Sequence, residues 1–135
     1  MKIFFDENFS PYLAAGLARF QDGRKDENIE VLHVVDKFGK GAADEVWIRE
    51  IAQMHGAVVT QDFDIRRTKS LRELCAAFKL GMFFFRPPKK TSYRYWEWIR
   101  WVVRQWCDMT NRARTTEPPY AFVITPRSKG PEPFE

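Results

Sequence analysis

The chain has few of the residues that define several common functional classes. Its 135 residues include only two cysteines and two histidines. Cys75 and Cys107 are too few for a disulfide framework, neither has zinc-ligand spacing, and neither has a nearby histidine that would suggest a nucleophile. His33 and His55 have no paired ligand spacing, so we expect ordinary packing or surface positions for both. These shortages exclude disulfide-rich and zinc-finger proteins.

Long apolar runs and glycine-rich phosphate loops are also missing. No apolar stretch approaches the roughly 20 residues that are needed to span a bilayer. The first strand begins near residue 3 with no signal-peptide pattern before it, so we expect a cytoplasmic protein. Gly39-Lys40-Gly41 lacks the spacing of a phosphate-binding P-loop.

Apolar and charged residues are both abundant. Hydrophobic residues make up 44% of the chain and aromatic residues 16%, which is enough for one buried core. The 22 Lys and Arg outnumber the 18 Asp and Glu, giving a formal charge of +4. A basic excess suits an anionic partner, although on its own it is weak evidence.

Short apolar runs alternate with amphipathic segments, which predicts an α/β fold. We predict a three-layer α/β/α domain over residues 1–126 with a mostly parallel sheet of about five strands. Residues 127–135 contain two prolines and a glycine, and we expect them to form a flexible tail. The predicted strands are Lys2–Asp6, Ile29–Val35, Ala57–Thr60, Met82–Phe85 and Tyr120–Thr125. The predicted helices run from Pro11 to about Phe20, from Asp44 to about His55, over Leu71–Phe78 and over Ser92–Asp108.

Acidic residues follow or precede the strands at positions that suggest a shared site. Asp6 directly follows the first strand, Asp62 and Asp64 follow the third, and Asp44 opens the helix that leads to the third. Parallel sheets form sites at the carboxyl ends of their strands, where strand order reverses. Hard cations such as Mg²⁺ prefer oxygen ligands. Singly, Asp44 could be only a helix cap and Asp62 only a turn residue; their convergence is what favours a metal site.

Two segments resemble a known family. Lys2-Ile-Phe-Phe-Asp-Glu-Asn8 resembles the first strand of compact bacterial PIN-like nuclease domains, a VapC-toxin-related subgroup. The stretch from Asp44 to Asp62, in which an acid opens a helix, a Gly-Ala turn follows and a strand ends in Thr-x-Asp, resembles the second half of a PIN-type domain. The likeness covers roughly residues 1–66.

The resemblance implies a catalytic metal site. Asp6, Asp44 and Asp62 match acidic positions that hold Mg²⁺ or Mn²⁺ in PIN nucleases, and Thr60 matches a small polar residue that supports the last of them. Asp64 could hold a second ion. PIN nucleases usually carry a further glutamate that has no obvious equivalent here, so Glu7, Glu45 or Asp64 are candidate substitutes. The implied activity is metal-dependent hydrolysis of phosphodiester bonds in RNA, in a toxin that an antitoxin protein would bind.

Basic residues surround the acidic positions in the sequence. We expect a rim that attracts the phosphate backbone of RNA without reading its sequence; a solvated basic surface is the equal alternative. The candidate nucleic-acid-binding residues are Arg66, Arg67, Lys69, Arg86, Lys89 and Lys90.

The predicted helix Ser92–Asp108 contains four tryptophans. One apolar face should pack on the sheet, with Tyr95, Ile99, Val102, Val103 and Trp106 at helical spacing. Core packing is the favoured interpretation for most of these rings. Trp98 and Trp101 lie beside this apolar face and widen it. They are the candidate partner interface, for a second copy of the chain or for an antitoxin, because tryptophan is enriched at interface anchors. Base stacking is the least favoured interpretation, since single-strand binders usually present aromatics on sheets or in grooves.

Two alternatives remain at the level of sequence. The first is a non-catalytic PIN-like module that binds protein or RNA, which the missing glutamate favours. The second is a phospho-receiver domain, which would need a lysine at the end of the fifth strand; Tyr120–Thr125 does not end in one.

Overall fold

Six strands form one sheet in the computed structural model, which describes residues 1–134. The sheet order is β2-β1-β3-β4-β5-β6; the first five strands pair in parallel and β6 pairs antiparallel to β5. The predicted mostly parallel sheet is confirmed, with one strand more than expected. The strands are β1 (Lys2–Phe5), β2 (Glu30–His33), β3 (Ala57–Thr60), β4 (Gly81–Phe85), β5 (Tyr120–Ile124) and β6 (Glu132–Pro133).

Helices cover both faces of the sheet, which confirms the three-layer architecture. Side chains alternate along each strand, so Phe5 packs under α1 and α6 while Phe4 packs under α2, α3 and α5. The α-helices are α1 (Pro11–Gln21), α2 (Val34–Phe38), α3 (Asp44–Gln53), α4 (Asp64–Arg67), α5 (Lys69–Ala77) and α6 (Tyr95–Thr115), and a 3₁₀ segment spans Asp22–Glu27.

The start of α6 lies three residues later than the sequence predicted. Arg94 is extended, with φ −81° and ψ 170°, and Glu97 accepts a hydrogen bond from the Arg94 N–H at 3.0 Å. This capping interaction fixes the helix start at Tyr95. The helix then continues to Thr115, seven residues beyond the predicted end.

The C-terminal segment was expected to be a flexible tail, but its described residues pack against the sheet. β6 extends the sheet beyond β5, and Ser128 is buried with its hydroxyl accepting the Thr125 N–H at 3.0 Å. The Phe134 ring lies 5.1 Å from that of Phe84 and 5.6 Å from that of Phe63, centroid to centroid. The proline and glycine content suggested a frayed end, whereas this apolar contact holds the segment. Glu135 lies outside the described residues.

Over residues 1–134, no helix combines the length and apolar character that crossing a bilayer requires.

Candidate metal centre

β1 and β3 are neighbours at the point in the sheet where the strand order reverses. From β1 the chain moves outward to β2 and then returns to the opposite side of β1 as β3. Asp6 extends the pairing of β1 with β3, because its N–H donates to the Val59 carbonyl at 2.9 Å. In open α/β sheets such a crevice at the carboxyl edge is the usual ligand site. The predicted convergence of Asp6 and Asp62 therefore has a structural basis.

Thr60 joins the two acidic segments. Its hydroxyl donates to Asp6 Oδ2 at 2.7 Å and accepts the backbone N–H of Asp62 at 2.9 Å. Thr60 is completely buried at the end of β3. The family resemblance assigned Thr60 a supporting role at the last acid; the structure shows that it orients the Asp6 carboxylate as well.

The Asp6 carboxyl group lies in a poorly solvated environment. Its residue is 6% exposed, and this burial raises the pKa of Asp6 above its ordinary value. Hydrogen bonds from Thr60 and from the Glu7 N–H, which lies 2.6 Å from Asp6 Oδ1, act in the opposite direction. The negative charges of Asp62 and Glu7 raise the pKa further. A cation at this position would relieve both the burial cost and the repulsion.

Asp44 belongs to the same electrostatic group although it comes from a different element. It opens α3 and accepts a hydrogen bond from Trp47 Nε1 at 3.1 Å. Its pKa is raised first by burial and then by the charges of Asp6 and Asp62. The charges of Asp6 and Asp62 therefore reach Asp44, although the three acids come from three different segments.

These acids do not form a closed cage of protein ligands. Within residues 1–134, no three side chains among His, Cys, Asp and Glu approach closely enough to hold a metal ion between them. The donor set is nevertheless made of carboxylate oxygens, and Mg²⁺ is commonly held by one or two carboxylates with waters and substrate phosphates completing its shell. The site therefore fits a hydrated Mg²⁺ or Mn²⁺ held by Asp6 with Asp62 or Asp44.

The candidate auxiliary acids lie at the margin of this group. Glu7 is exposed and its Oε1 accepts the Gly41 N–H at 3.0 Å, so it anchors the loop before α3. Glu45 is exposed in the first turn of α3. The Asp64 carboxylate is also exposed and lies 3.8 Å from Arg67 Nη1. Within residues 1–134, none of the three forms a three-ligand cluster with Asp6.

The predicted basic residues lie on elements that begin at the same edge of the sheet. Arg66 and Arg67 are on α4, which follows β3, and Arg86 directly follows β4. The Arg86 guanidinium lies 4.7 Å from the Phe63 ring centroid, and the Arg66 guanidinium lies 5.6 Å from that of Phe134. Lys89 and Lys90 are exposed in the loop before α6, whereas Lys69 lies 3.8 Å from Glu73 on α5.

The two tryptophans of the predicted partner interface on α6 pack towards the sheet. Trp101 is 2% exposed, and its ring lies 5.0 Å from that of Phe85. Trp98 is half-buried and its ring lies 5.2 Å from that of Phe9. The apolar face that α6 buries is rotated from the predicted one, since Tyr95 and Val103 are exposed. Trp98 and Trp101 belong to the core, as the alternative interpretation held.

Two residues of the site were not identified from the sequence. Trp47 donates to Asp44 from one helical turn away, a contact that the i, i+3 spacing on α3 could have suggested. Gln61 donates from Nε2 to the Asn8 carbonyl at 3.2 Å and so joins the loops after β1 and β3. No sequence signal marks that contact, because it depends on strand pairing.

Residues 1–87 match the sequence family described as "PIN like domain". The match covers about two thirds of the chain, including β1 to β4 and the three acids. The chain therefore belongs to the PIN-like domain family, and this membership supports a nuclease or nucleic-acid-related role. No curated protein and no solved structure matches the chain. α6, β5 and β6 lie beyond the matched residues.

Proposed function

We propose that this protein is a metal-dependent ribonuclease that hydrolyses phosphodiester bonds in RNA. The observation that carries the proposal is the arrangement of Asp6, Asp44 and Asp62 around the reversal point of the sheet, with Thr60 linking the first and the last. Family membership supports a nuclease class, and the basic residues of the same edge suit a polyanionic substrate.

The residues of the chain have distinct parts in this proposal. Asp6, held by Thr60 and the Glu7 N–H, and Asp62 would hold the ion. Asp44, anchored by Trp47, would orient a metal-bound water. A bound Mg²⁺ or Mn²⁺ would supply an activated water and neutralise charge on the phosphate. Arg66 and Arg86 would contact neighbouring phosphates.

The test is cleavage of labelled single-stranded RNA with Mg²⁺ or Mn²⁺ by the wild type and by Asp6→Asn and Asp62→Asn. We expect metal-dependent cleavage that each substitution abolishes and that EDTA stops. Asp108→Asn is the matched control, because Asp108 is an exposed carboxylate of α6 outside the site. Equal cleavage by all four proteins would identify a contaminant and overturn the assignment.

A non-catalytic PIN-like binding module is the second candidate. The observation that favours it is the lack of a three-ligand cage within residues 1–134. It predicts RNA or protein binding without turnover and without heat on calorimetric titration with Mn²⁺. The ribonuclease predicts metal binding that Asp6→Asn weakens.

We further propose that the protein is the toxin of a toxin–antitoxin pair. The support is the likeness of Lys2–Asn8 to the first strand of the toxin-related subgroup. Induced expression should arrest growth of a bacterial host, and Asp62→Asn should restore it. Normal growth with soluble wild-type protein present would contradict a toxin role without affecting the ribonuclease proposal.

A further inference from the structure

The first turn of α6 exposes two aromatic rings that the core does not use. Trp96 is 69% exposed and Tyr95 is 49% exposed. Their ring centroids are 5.2 Å apart and their planes are nearly perpendicular. Trp98 and Trp101 already fill the space between α6 and the sheet. The outer pair is therefore available to a ligand.

These rings border an open groove whose charged side chains are mainly basic. The groove has a volume of about 640 Å³ and is lined by residues 91–97 and by Arg100. Its acidic side chain, Glu97, accepts the Arg94 N–H and caps the helix. Residues 86–100 contain five cations and one acid, and within residues 1–134 none of those cations forms a salt bridge. The cations are Arg86, Lys89, Lys90, Arg94 and Arg100.

The groove lies at the same edge of the sheet as the acidic residues. β4 ends at this edge, and the loop after it leads directly into α6. The Trp98 ring contacts that of Phe9, whose N–H donates to the Asp6 carbonyl at 3.0 Å. The loop that carries Asp6 is thus packed against the start of α6. A nucleic-acid strand bound in the groove would therefore lie at the end of the sheet where β1 ends and Asp6 lies.

An exposed aromatic pair beside uncompensated cations fits a single-stranded polyanion better than a protein. Single-strand binders combine a basic groove with aromatic rings on which bases stack. In a duplex the bases stack on one another and cannot reach such rings. The sequence alone disfavoured stacking because single-strand binders usually present their aromatic residues on sheets or in grooves, whereas these residues were predicted on a helix.

We infer that Trp96 and Tyr95 form a stacking subsite for an unpaired base of a single-stranded nucleic acid, with Arg94 and Arg100 contacting its phosphates. The inference depends on the proposed function only where it names RNA as the single-stranded nucleic acid. It predicts that the protein selects unpaired segments through a contact made away from the acids. The subsite lies outside the residues that match the family.

The test measures RNA binding by the full chain in EDTA, so that metal-dependent cleavage does not occur during the measurement. The probes are a labelled oligouridylate and an RNA duplex of the same length. Trp96→Ala should weaken oligouridylate binding roughly 5- to 150-fold, the range for loss of one base–aromatic stack, and Trp96→Phe should retain most of the affinity. Duplex binding should change little. Val103→Ala is the matched control, because Val103 is 45% exposed on the same helix.

The inference would be overturned if the wild type did not bind oligouridylate, if Val103→Ala lost as much affinity as Trp96→Ala, or if Trp96→Ala weakened duplex binding equally. A dimer in light scattering that Trp96→Ala converts to a monomer would identify the rings as an interface between copies and also overturn it. Absence of cleavage, with binding still dependent on Trp96, would contradict the ribonuclease alone.

Discussion

At the scale of single residues, the site depends on how Thr60 and Asp6 are held. A buried hydroxyl serves two acidic segments at once, and a buried carboxylate is kept in place by an O–H and an N–H donor. Replacing one partner of a buried hydrogen bond leaves the other unsatisfied, which costs more than the bond contributed. Both residues are therefore sensitive probes of the site.

Thr60→Val keeps the β-branched shape and removes the hydroxyl. The Asp6 carboxylate loses a donor and the Asp62 N–H loses its acceptor, so we expect the free energy of unfolding to fall by about 1–3 kcal/mol. Mn²⁺ affinity should fall as well, because Asp6 loses its orientation. Urea denaturation and calorimetry measure the two effects. Thr60→Ser retains the hydroxyl and should preserve Mn²⁺ affinity; an equal loss for Ser would contradict the role of the hydroxyl.

The raised pKa of Asp6 gives a pH dependence of defined sign. Folding favours the protonated form, so its contribution to stability is fully present below the ordinary pKa of 3.8 and is lost as pH rises through the folded value. Asp6→Asn cannot ionise and should escape this loss. The stability of the variant relative to the wild type should therefore increase with pH across that window, as urea denaturation at several pH values would show. A stability difference between Asp6→Asn and the wild type that does not change with pH would contradict the raised pKa of Asp6.

Added Mn²⁺ should restore the stability that the wild type loses when Asp6 ionises. A ligand that binds only the folded state raises the free energy of unfolding by mass action. We expect Mn²⁺ to raise the melting temperature of the wild type and to leave that of Asp6→Asn unchanged. An equal rise in both proteins would place the ion elsewhere.

At the scale of elements, α6 and the C-terminal segment belong to the part of the fold that follows β4. β6 covers the open edge of β5, and the Phe134 ring packs against the rings of Phe63 and Phe84, which also contact each other. The segment thereby supports Phe63, on which the Arg86 guanidinium lies. The C-terminal segment, which the sequence predicted to be flexible, therefore supports the ring on which Arg86 lies.

Phe134→Ala tests this support. Phe134 is only partly buried, so we expect a loss of about 1–3 kcal/mol in the free energy of unfolding, less than the 3–5 kcal/mol typical of a fully buried phenylalanine. Thermal or urea denaturation measures it. Phe20→Ala is the control, because Phe20 is 74% exposed and should change stability little. Equal stability of both variants would show that the segment does not pack in solution.

The sequence predicted the parallel sheet and the three acids because both are local patterns. β3 was predicted with its observed ends, since Ala57–Thr60 is a short β-branched run between a glycine and an acid. The rotation of α6 was not predictable, because tryptophans occur on several faces and only contact with Phe9 and Phe85 selects the inner ones. β6 has only two residues, one of them a proline, and only its pairing with β5 makes it a strand.

At the scale of the whole molecule, acidic and basic side chains lie at the same end of the sheet. The net charge of +4 is modest, but α4 and the loop after β4 bring their basic residues to the side where Asp6 lies. Such an arrangement attracts a polyanion while the acids remain able to attract a cation. Association with RNA should therefore depend on ionic strength.

Binding of single-stranded RNA in EDTA should weaken as salt rises from about 50 to 200 mM, with a logarithmic slope of about −0.7 for each phosphate neutralised. Lys89→Gln with Lys90→Gln should make the slope less steep by about 1.4 if both contact phosphates. Fluorescence anisotropy measures the slope. Lys2→Gln is the control, because Lys2 begins β1 at the opposite edge. An unchanged slope in the double variant would remove Lys89 and Lys90 from the interface.

The link from Thr60 to Asp6 spans 54 residues of chain. During synthesis, Asp6 emerges early and has no partner until β3 has left the ribosome and paired with β1. A partly made chain therefore lacks the hydrogen bond that positions the Asp6 carboxylate. If the protein is the proposed metal-dependent ribonuclease, the nascent chain would remain inactive towards RNA until β3 has paired with β1.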